Sequence, residues 1–268
     1  MKDILGQAIA GHYHRSSSAK LRVHARWGQR ADGQPMGSST EIMPLNTYFR
    51  SPNDMPELEW VALQHCRGRI LDIGAGAGSH SLLLQKMGLD VTALDISPLN
   101  AAVMRERGIK NVLRRDFFSL QPAKAFGTAK APRPPARQVA RYDTLLLLMN
   151  GIGLAATLDG LRLFLQKARA LLRPGGALVF DSSDVAYLYH GRPPKKGSSE
   201  RAGSPPSGHY YGEISYQYEY RRQRTDWFNW LFVDKRTLRR IATKEGWKMQ
   251  VLFEDKFDQY LVELRPIP

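Results

Sequence analysis

A single cysteine, Cys66, stands in the 268 residues. A lone thiol excludes an internal disulfide and any multi-cysteine zinc site within the chain, and it suits a reducing, cytoplasmic setting. Long apolar runs are missing too. No uninterrupted stretch approaches the ~20 residues that a membrane-spanning helix requires, so no membrane partner is expected. The opening MKDILGQAIAGHYH has neither a long apolar core nor a small-residue cleavage site, which argues against a secretory signal. Acid is scarce: 39 Lys and Arg face 25 Asp and Glu, a net charge of +14 with histidines neutral. Apolar material is not scarce. With 43% hydrophobic and 10% aromatic residues, the chain can build a real core and is not disordered as a whole.

The excess charge is unevenly placed. Residues 121–141, QPAKAFGTAKAPRPPARQVAR, carry Lys124, Lys130, Arg133, Arg137 and Arg141 without an acid. Residues 190–208 carry Arg192, Lys195, Lys196 and Arg201 against Glu200. Both stretches are rich in Pro, Gly, Ala and Ser and lack an apolar period, so they read as basic surface insertions. The plain expectation is solvated loops with weak, non-specific nucleic-acid binding; a dedicated acidic partner is the sharper one. His12, His14 and His24 have no metal-like partner set, and no metal is assigned.

Between the basic stretches the pattern is regular. Arg69–Ile73 (RILDI) is a short apolar run ending at the glycines of GAGAG, and 79–87 follows as a helix with Leu82, Leu83 and Lys86 at helical offsets. Asp90–Asp95 alternates as a strand, Pro98–Arg107 reads as a helix with proline in its first turn, and Asn111–Arg115 is a third strand candidate. Tyr142–Met149 (YDTLLLLM) is nearly continuous in apolar residues, as a strand buried on both faces is. Thr157–Leu172 carries Leu158, Leu161, Phe164, Leu165, Ala168 and Leu172 on one helical stripe; Arg173-Pro174-Gly175-Gly176 breaks it before ALVFDS. Alternating strands and helices predict an α/β fold, a mostly parallel sheet with helices on both faces. Glu213–Tyr220 and Asp226–Val233 read as an added antiparallel pair, and a final helix and two adjacent strands close the chain. Residues 1–52 read as an N-terminal extension, a candidate lid, before a domain over 53–268.

Chemistry concentrates at the first strand–loop–helix. Gly74, Gly76 and Gly78 are spaced G-x-G-x-G, not the G-x-G-x-x-G of a dinucleotide fingerprint. Asp72 lies two positions before the first glycine, an unfavourable neighbour for a pyrophosphate but not for a cationic ligand. Asp95 ends the next strand at the spacing suited to a ribose diol. Asp116 ends the third, within reach of an adenine edge.

These segments resemble the class I S-adenosylmethionine-dependent methyltransferases over roughly residues 55–185. LDIGAGAG looks like the family's first motif, ALDIS its second-strand acid, RRDFF its adenine-side acid, and LLRPGGALVF the turn into its fifth strand. MPLNTYFR, the MPELE helix and the NGIG turn look like a bacterial stand-alone group of these enzymes. The resemblance implies a Rossmann-like, seven-stranded, mostly parallel sheet with an antiparallel last strand. It implies S-adenosyl-L-methionine as cofactor and S-adenosyl-L-homocysteine as product. The residues implied at the cofactor are Asp72, Gly74, Ala75, Gly76, Gly78, Asp95, Ile96, Asp116, Phe117, Met149 and Asn150, with Asp95 on the ribose hydroxyls and Phe117 against the adenine ring.

Methyl transfer asks little of side chains, because alignment and exclusion of water lower the barrier without acid or base. His80, directly after the glycine turn, is the nearest candidate base; its plainer role is to cover the cofactor's edge. Asn150 is a candidate for positioning an acceptor. The strand-four turn lacks the Pro-Pro-Tyr or Pro-Pro-Phe of amino-group nucleic-acid methyltransferases. The expected activity is therefore transfer to a small-molecule acceptor. Two alternatives stay open: an RNA methyltransferase that uses the basic loops on phosphates, and a non-catalytic S-adenosylmethionine-binding protein. The aromatics between Tyr210 and Trp230 suit either an acceptor wall or plain sheet packing, and Cys66 is expected in the core.

Overall fold

The computed structural model describes residues 2–29, 32–122, 138–189 and 209–268. The expected insertion at 190–208 lies wholly outside the described residues, and that at 121–141 contributes only its ends. In chain order come α1 (Ile4–Tyr13), β1 (Leu21–Gln29), β2 (Pro35–Met43), α2 (Glu57–His65) and β3 (Arg69–Ile73). Next are α3 (Ser79–Lys86), β4 (Asp90–Asp95), α4 (Pro98–Glu106), β5 (Val112–Arg114) and the short strands β6 (Gln121–Pro122) and β7 (Gln138–Val139). β8 (Tyr142–Leu147), α5 (Leu158–Leu171) and β9 (Leu172–Ser183) follow. The chain ends with β10 (Glu213–Tyr220), β11 (Gln223–Arg224), β12 (Phe228–Leu231), α6 (Lys235–Lys244), β13 (Trp247–Glu254) and β14 (Gln259–Pro266).

Seven strands form the main sheet in the order β13-β14-β9-β8-β3-β4-β5. The central strands pair in parallel, and β14 runs antiparallel to both β9 and β13. This is the expected Rossmann-like sheet. Alternate side chains along each strand feed two cores, as a period of two requires. Ile70 and Leu146 join Leu58, Leu63 and Leu84 on the α2–α3 face. Leu71, Leu145 and Leu147 join Leu161, Phe164, Leu238 and Ile241 on the α5–α6 face. α5 starts where the Thr157 side chain accepts the Gly160 N–H at 3.0 Å, the side-chain cap a helix start favours.

From β3 the chain steps outward through β4 and β5, then returns to β8 and steps the other way. The loops after β3 and β8 therefore diverge, and the crevice between them is the place for a ligand in such a sheet.

The N-terminal residues do more than precede this domain. β1, β2, β10, β11 and β12 make one antiparallel sheet, with Val23 opposite Tyr218 and Ala25 opposite Tyr216. The expected aromatic pair is thus completed by the N-terminal segment. Leu21, Val23 and Ala25 are buried at alternate positions, a period-two signal. β2 carries no such alternation and is a polar edge strand. In α3 the residues turned inward are Ser79, His80, Ser81 and Leu84, while Lys86 is exposed. The Leu82–Leu83–Lys86 stripe is not its buried face, because the polar side chains of its first turn have partners beneath the glycine turn.

Phe164 is fully buried and stacks on Phe117 with ring centroids 4.6 Å apart. Phe164→Ala is expected to cost about 3–5 kcal/mol through lost burial and the cavity left behind, read as a lower urea midpoint.

Candidate functional site

The turn after β3 is built from three glycines with different work. Gly74 has φ +71°, and a Cβ there would meet nothing within 4 Å. Its N–H and that of Ala75 both donate to the Leu94 carbonyl, at 2.9 and 3.0 Å, tying the turn to β4. A Cβ on Gly76 would approach the Tyr48 ring at 3.2 Å, whereas one on Gly78 would collide with Ile109. Gly74 thus faces open space, Gly76 lies under Tyr48, and Gly78 packs against the α4 region.

Asp95, at the end of β4, is nearly buried and meets this turn. Its Oδ2 accepts the Gly76 N–H at 2.9 Å and the Asn100 side-chain amide at 3.3 Å; its Oδ1 accepts the Ser97 N–H at 2.8 Å. Burial raises its pKa, and those donors oppose the shift. A carboxylate has about four lone-pair sites, so Oδ1 still has room for a hydroxyl. Next to it Ile96 is 70% exposed, an apolar side chain left in the open beside a buried acid. Asp116 is exposed, and its Oδ1 accepts the Phe118 N–H at 3.0 Å. Open space at Gly74, a spare acceptor on Asp95 and an exposed apolar neighbour fit a nucleoside with an attached amino acid. The Phe117 ring, expected on an adenine, is instead in the core on Phe164; Phe118 is the more exposed ring of the pair.

The N-terminal segment covers this turn. Asp3 caps α1 by accepting the Gly6 N–H at 2.9 Å and also accepts the Ser97 hydroxyl at 2.6 Å. Ile9 of α1 packs on Ala77 and Val103. The Ser79 hydroxyl donates to the Tyr48 carbonyl at 2.8 Å, holding residues 45–49 over the turn. Burial pushes the Tyr48 phenol up, so it stays protonated.

A second polar group lies under the turn. Asp72 is buried and accepts the Ser81 hydroxyl at 2.6 Å; burial raises its carboxyl, with His80 and Ser81 opposing. His80 Nε2 pairs with Glu59 Oε2 at 2.8 Å, and Glu59 Oε1 takes an Arg50 guanidinium N–H. Burial alone would raise Glu59, but the bonds and charges of His80 and Arg50 outweigh it and its pKa falls. Burial alone would lower His80, but Glu59 and Asp72 outweigh it and its pKa rises. After β8, Met149 and Asn150 form a turn whose Asn150 N–H reaches Asp181.

The structure thus brings Asp72 and His80 together beneath the turn and Gly76 and Asp95 together beside it. Asp116 stands at the exposed edge. Sequence reasoning singled out neither Asp3 nor the roles of Arg50 and Glu59, which lie in the MPLNTYFR and MPELE segments; Tyr48 belongs to the N-terminal segment read as a candidate lid. Glu59 had a signal, as an acid on the inward face of the apolar α2; Asp3 had a capping signal three residues before Gly6, but its second partner, Ser97, lies far along the chain. Among the described residues no group of His, Cys, Asp and Glu could hold a metal ion, and no helix is long and apolar enough to cross a membrane.

The family model for the methyltransferase domain matches residues 45–251. A crystal structure of an S-adenosylmethionine-dependent methyltransferase from Bacteroides fragilis, in complex with S-adenosyl-L-homocysteine, is 36% identical. It superposes with a TM-score of 0.78 over 100% of this chain and 96% of that one. A methyltransferase structure from Clostridium acetobutylicum shares the fold at 11% identity and a TM-score of 0.54, over 81% of this chain and 94% of that one. A ubiquinone biosynthesis O-methyltransferase from Xanthomonas oryzae is 27% identical over 111 residues, 41% of this chain. The match spans 42% of that curated relative, less than half its length.

Removing Glu59 leaves the buried His80 imidazole and the Arg50 guanidinium without their acid. Glu59→Ala is expected to destabilise the fold by about 3–5 kcal/mol at neutral pH, the scale for breaking a buried pair. With its pKa raised, His80 contributes stability that is complete below an imidazole's ordinary value of about 6.5 and is lost as pH rises through its folded value. Urea unfolding from pH 6 to 9 should show this decline in the wild type and a weaker one in Glu59→Gln, where Asp72 still favours the charged imidazole.

Proposed function

We propose that this chain, which belongs to the methyltransferase domain family, transfers the methyl group of S-adenosylmethionine to a small-molecule acceptor. The observation that carries the reading is Asp95, which ties the glycine turn to β4 and keeps acceptor capacity beside an exposed Ile96. When bound, the cofactor supplies a methyl already activated by its sulfonium. The protein's part is to bind, align and exclude water. Asp95 Oδ1 takes a ribose hydroxyl, Ile96 lies against the adenine ring, and Asp116 faces its amino edge. The open backbone at Gly74 receives the amino-acid portion. Met149 and Asn150 line the route to the methyl group. His80 is engaged by Glu59, so it supports the turn and does not serve as a base; Asn150 positions the acceptor.

The acceptor side is supplied by the antiparallel sheet. Ala25, Val23, Tyr216, Tyr218, Phe228 and Trp230 share one of its faces by their pairing. That face meets the domain at Trp230 on Gly153; Tyr218 packs beside Ile4 and Leu21, and burial pushes its phenol up to about 12. An aromatic wall with neutral hydroxyls suits a compact, ring-bearing or apolar acceptor. α1 and residues 45–50 act as the lid over the cofactor. Cys66 is buried, which suits a reducing cytoplasm.

Calorimetric titration with S-adenosylhomocysteine should show binding. Asp95→Ala should weaken it by about 1.5–3 kcal/mol, roughly 10- to 150-fold, the scale of hydrogen bonds to a charged group. Unchanged affinity in that variant would sink the ribose assignment. Labelled S-adenosylmethionine should leave no stoichiometric methyl in RNA or DNA; incorporation at a defined nucleotide would replace the small-molecule reading.

A further inference from the structure

Met149 and Asn150, directly after β8, both hold left-handed backbone, with φ of 62° and 55°. That region is costly for residues with a Cβ. The glycine beside them, Gly151, is not in it, so the left-handed turn falls on an Asn, which tolerates that form better than most side chains, and on a Met, which does not. Such conformations persist only where the surroundings impose them, and they cluster at functional sites.

The imposing group is Asp181, fully buried near the end of β9. Both its oxygens lie 3.0 Å from the Asn150 backbone nitrogen, and Oδ2 also accepts the Gln259 side-chain amide from β14 at 2.9 Å. Packing alone would be served at lower cost by an apolar side chain, since a buried carboxylate is expensive unless its bonds are used. Burial pushes this carboxyl up to about 6, with the Asn150 and Gln259 donors opposing, so at neutral pH it still accepts. Beyond the backbone, the Ser183 hydroxyl donates to Asn150 Oδ1 at 3.1 Å. The Asn150 side chain is thereby oriented with its NH2 group left without a protein partner among the described residues.

We propose that Asp181 is a positioning residue, whose carboxylate holds the Met149–Asn150 turn in its left-handed form and so fixes where the Asn150 amide stands beside the methyl-transfer point. What the turn serves rests on the function proposed above; the clamp itself does not.

The test uses the full chain with Asp181→Ala and Asp181→Asn, each alone and combined with Met149→Gly. Two quantities are read: hydrogen exchange in the peptide spanning residues 146–153, and calorimetric affinity for S-adenosylhomocysteine. Asp181→Ala is expected to speed exchange in that peptide and weaken binding by about tenfold or more. Asp181→Asn keeps one acceptor oxygen and should lose less on both counts. Met149→Gly should recover most of the lost affinity, because glycine takes the left-handed form freely; a mere packing role gives no such recovery. If Asp181→Ala does not fold, the Asp181→Asn pair is read the same way. Wild-type exchange rates in a folded Asp181→Ala protein, or no recovery with Met149→Gly, would overturn the clamp. A wild-type protein that binds no S-adenosylhomocysteine overturns the functional reading instead, and the exchange rates still judge the clamp.

Discussion

A carboxylate removed from water costs several kcal/mol unless donors replace its hydration, and Asp95 is nearly buried. The backbone N–H groups of Gly76 and Ser97 meet this need, and each settles something further. The Gly76 bond draws the glycine turn against β4, beside the open space at Gly74. The Ser97 bond ends β4 and begins α4, where the Ser97 side chain accepts the Asn100 N–H at 3.0 Å. Asp3 accepts the Ser97 hydroxyl, so the N-terminal helix is anchored to the same point. The turn, the start of α4 and the cover are consequences of satisfying one acid.

The second pole follows the same rule with charged side chains joining amide and hydroxyl donors. Glu59, Asp72 and Asp181 are buried beneath and beside the turn, and His80, Arg50, Ser81, Asn150 and Gln259 supply their donors. Arg50 comes from the cover, Glu59 from α2, His80 from α3 and Gln259 from the reversed strand β14. Elements distant in sequence are thereby locked to one small region. That is the rigidity which alignment of two reactants demands, where a misplacement of about 1 Å is costly.

Much of the sheet was legible because its signals are local. RILDI, YDTLLLLM and ALVFDS are short apolar runs of the kind a strand buried on both faces carries, and Pro174, Gly175 and Gly246 mark where helices give way. The final hairpin was legible for the same reason. The N-terminal sheet was not, because β2 is polar and gains its place only by pairing with β1. At the site, Asp72, Asp95 and the glycines were visible as a spacing. The partners of His80 were not: Glu59 lies 21 residues away and belongs to another helix. Phe117 and Phe118 are adjacent and alike, and no sequence signal tells which ring enters the core. The left-handed Met149–Asn150 turn was hidden because the nearby glycines of NGIG suggest that strain falls on them.

The account stands on Asp95 as the anchor of the bound nucleoside. A crystal structure of the protein with S-adenosylhomocysteine tests this most directly. A ribose hydroxyl should lie within hydrogen-bond distance of Asp95 Oδ1, with adenine against Ile96 and the sulfur facing the Met149–Asn150 turn. A ligand bound elsewhere, or one whose ribose makes no contact with Asp95, would contradict it.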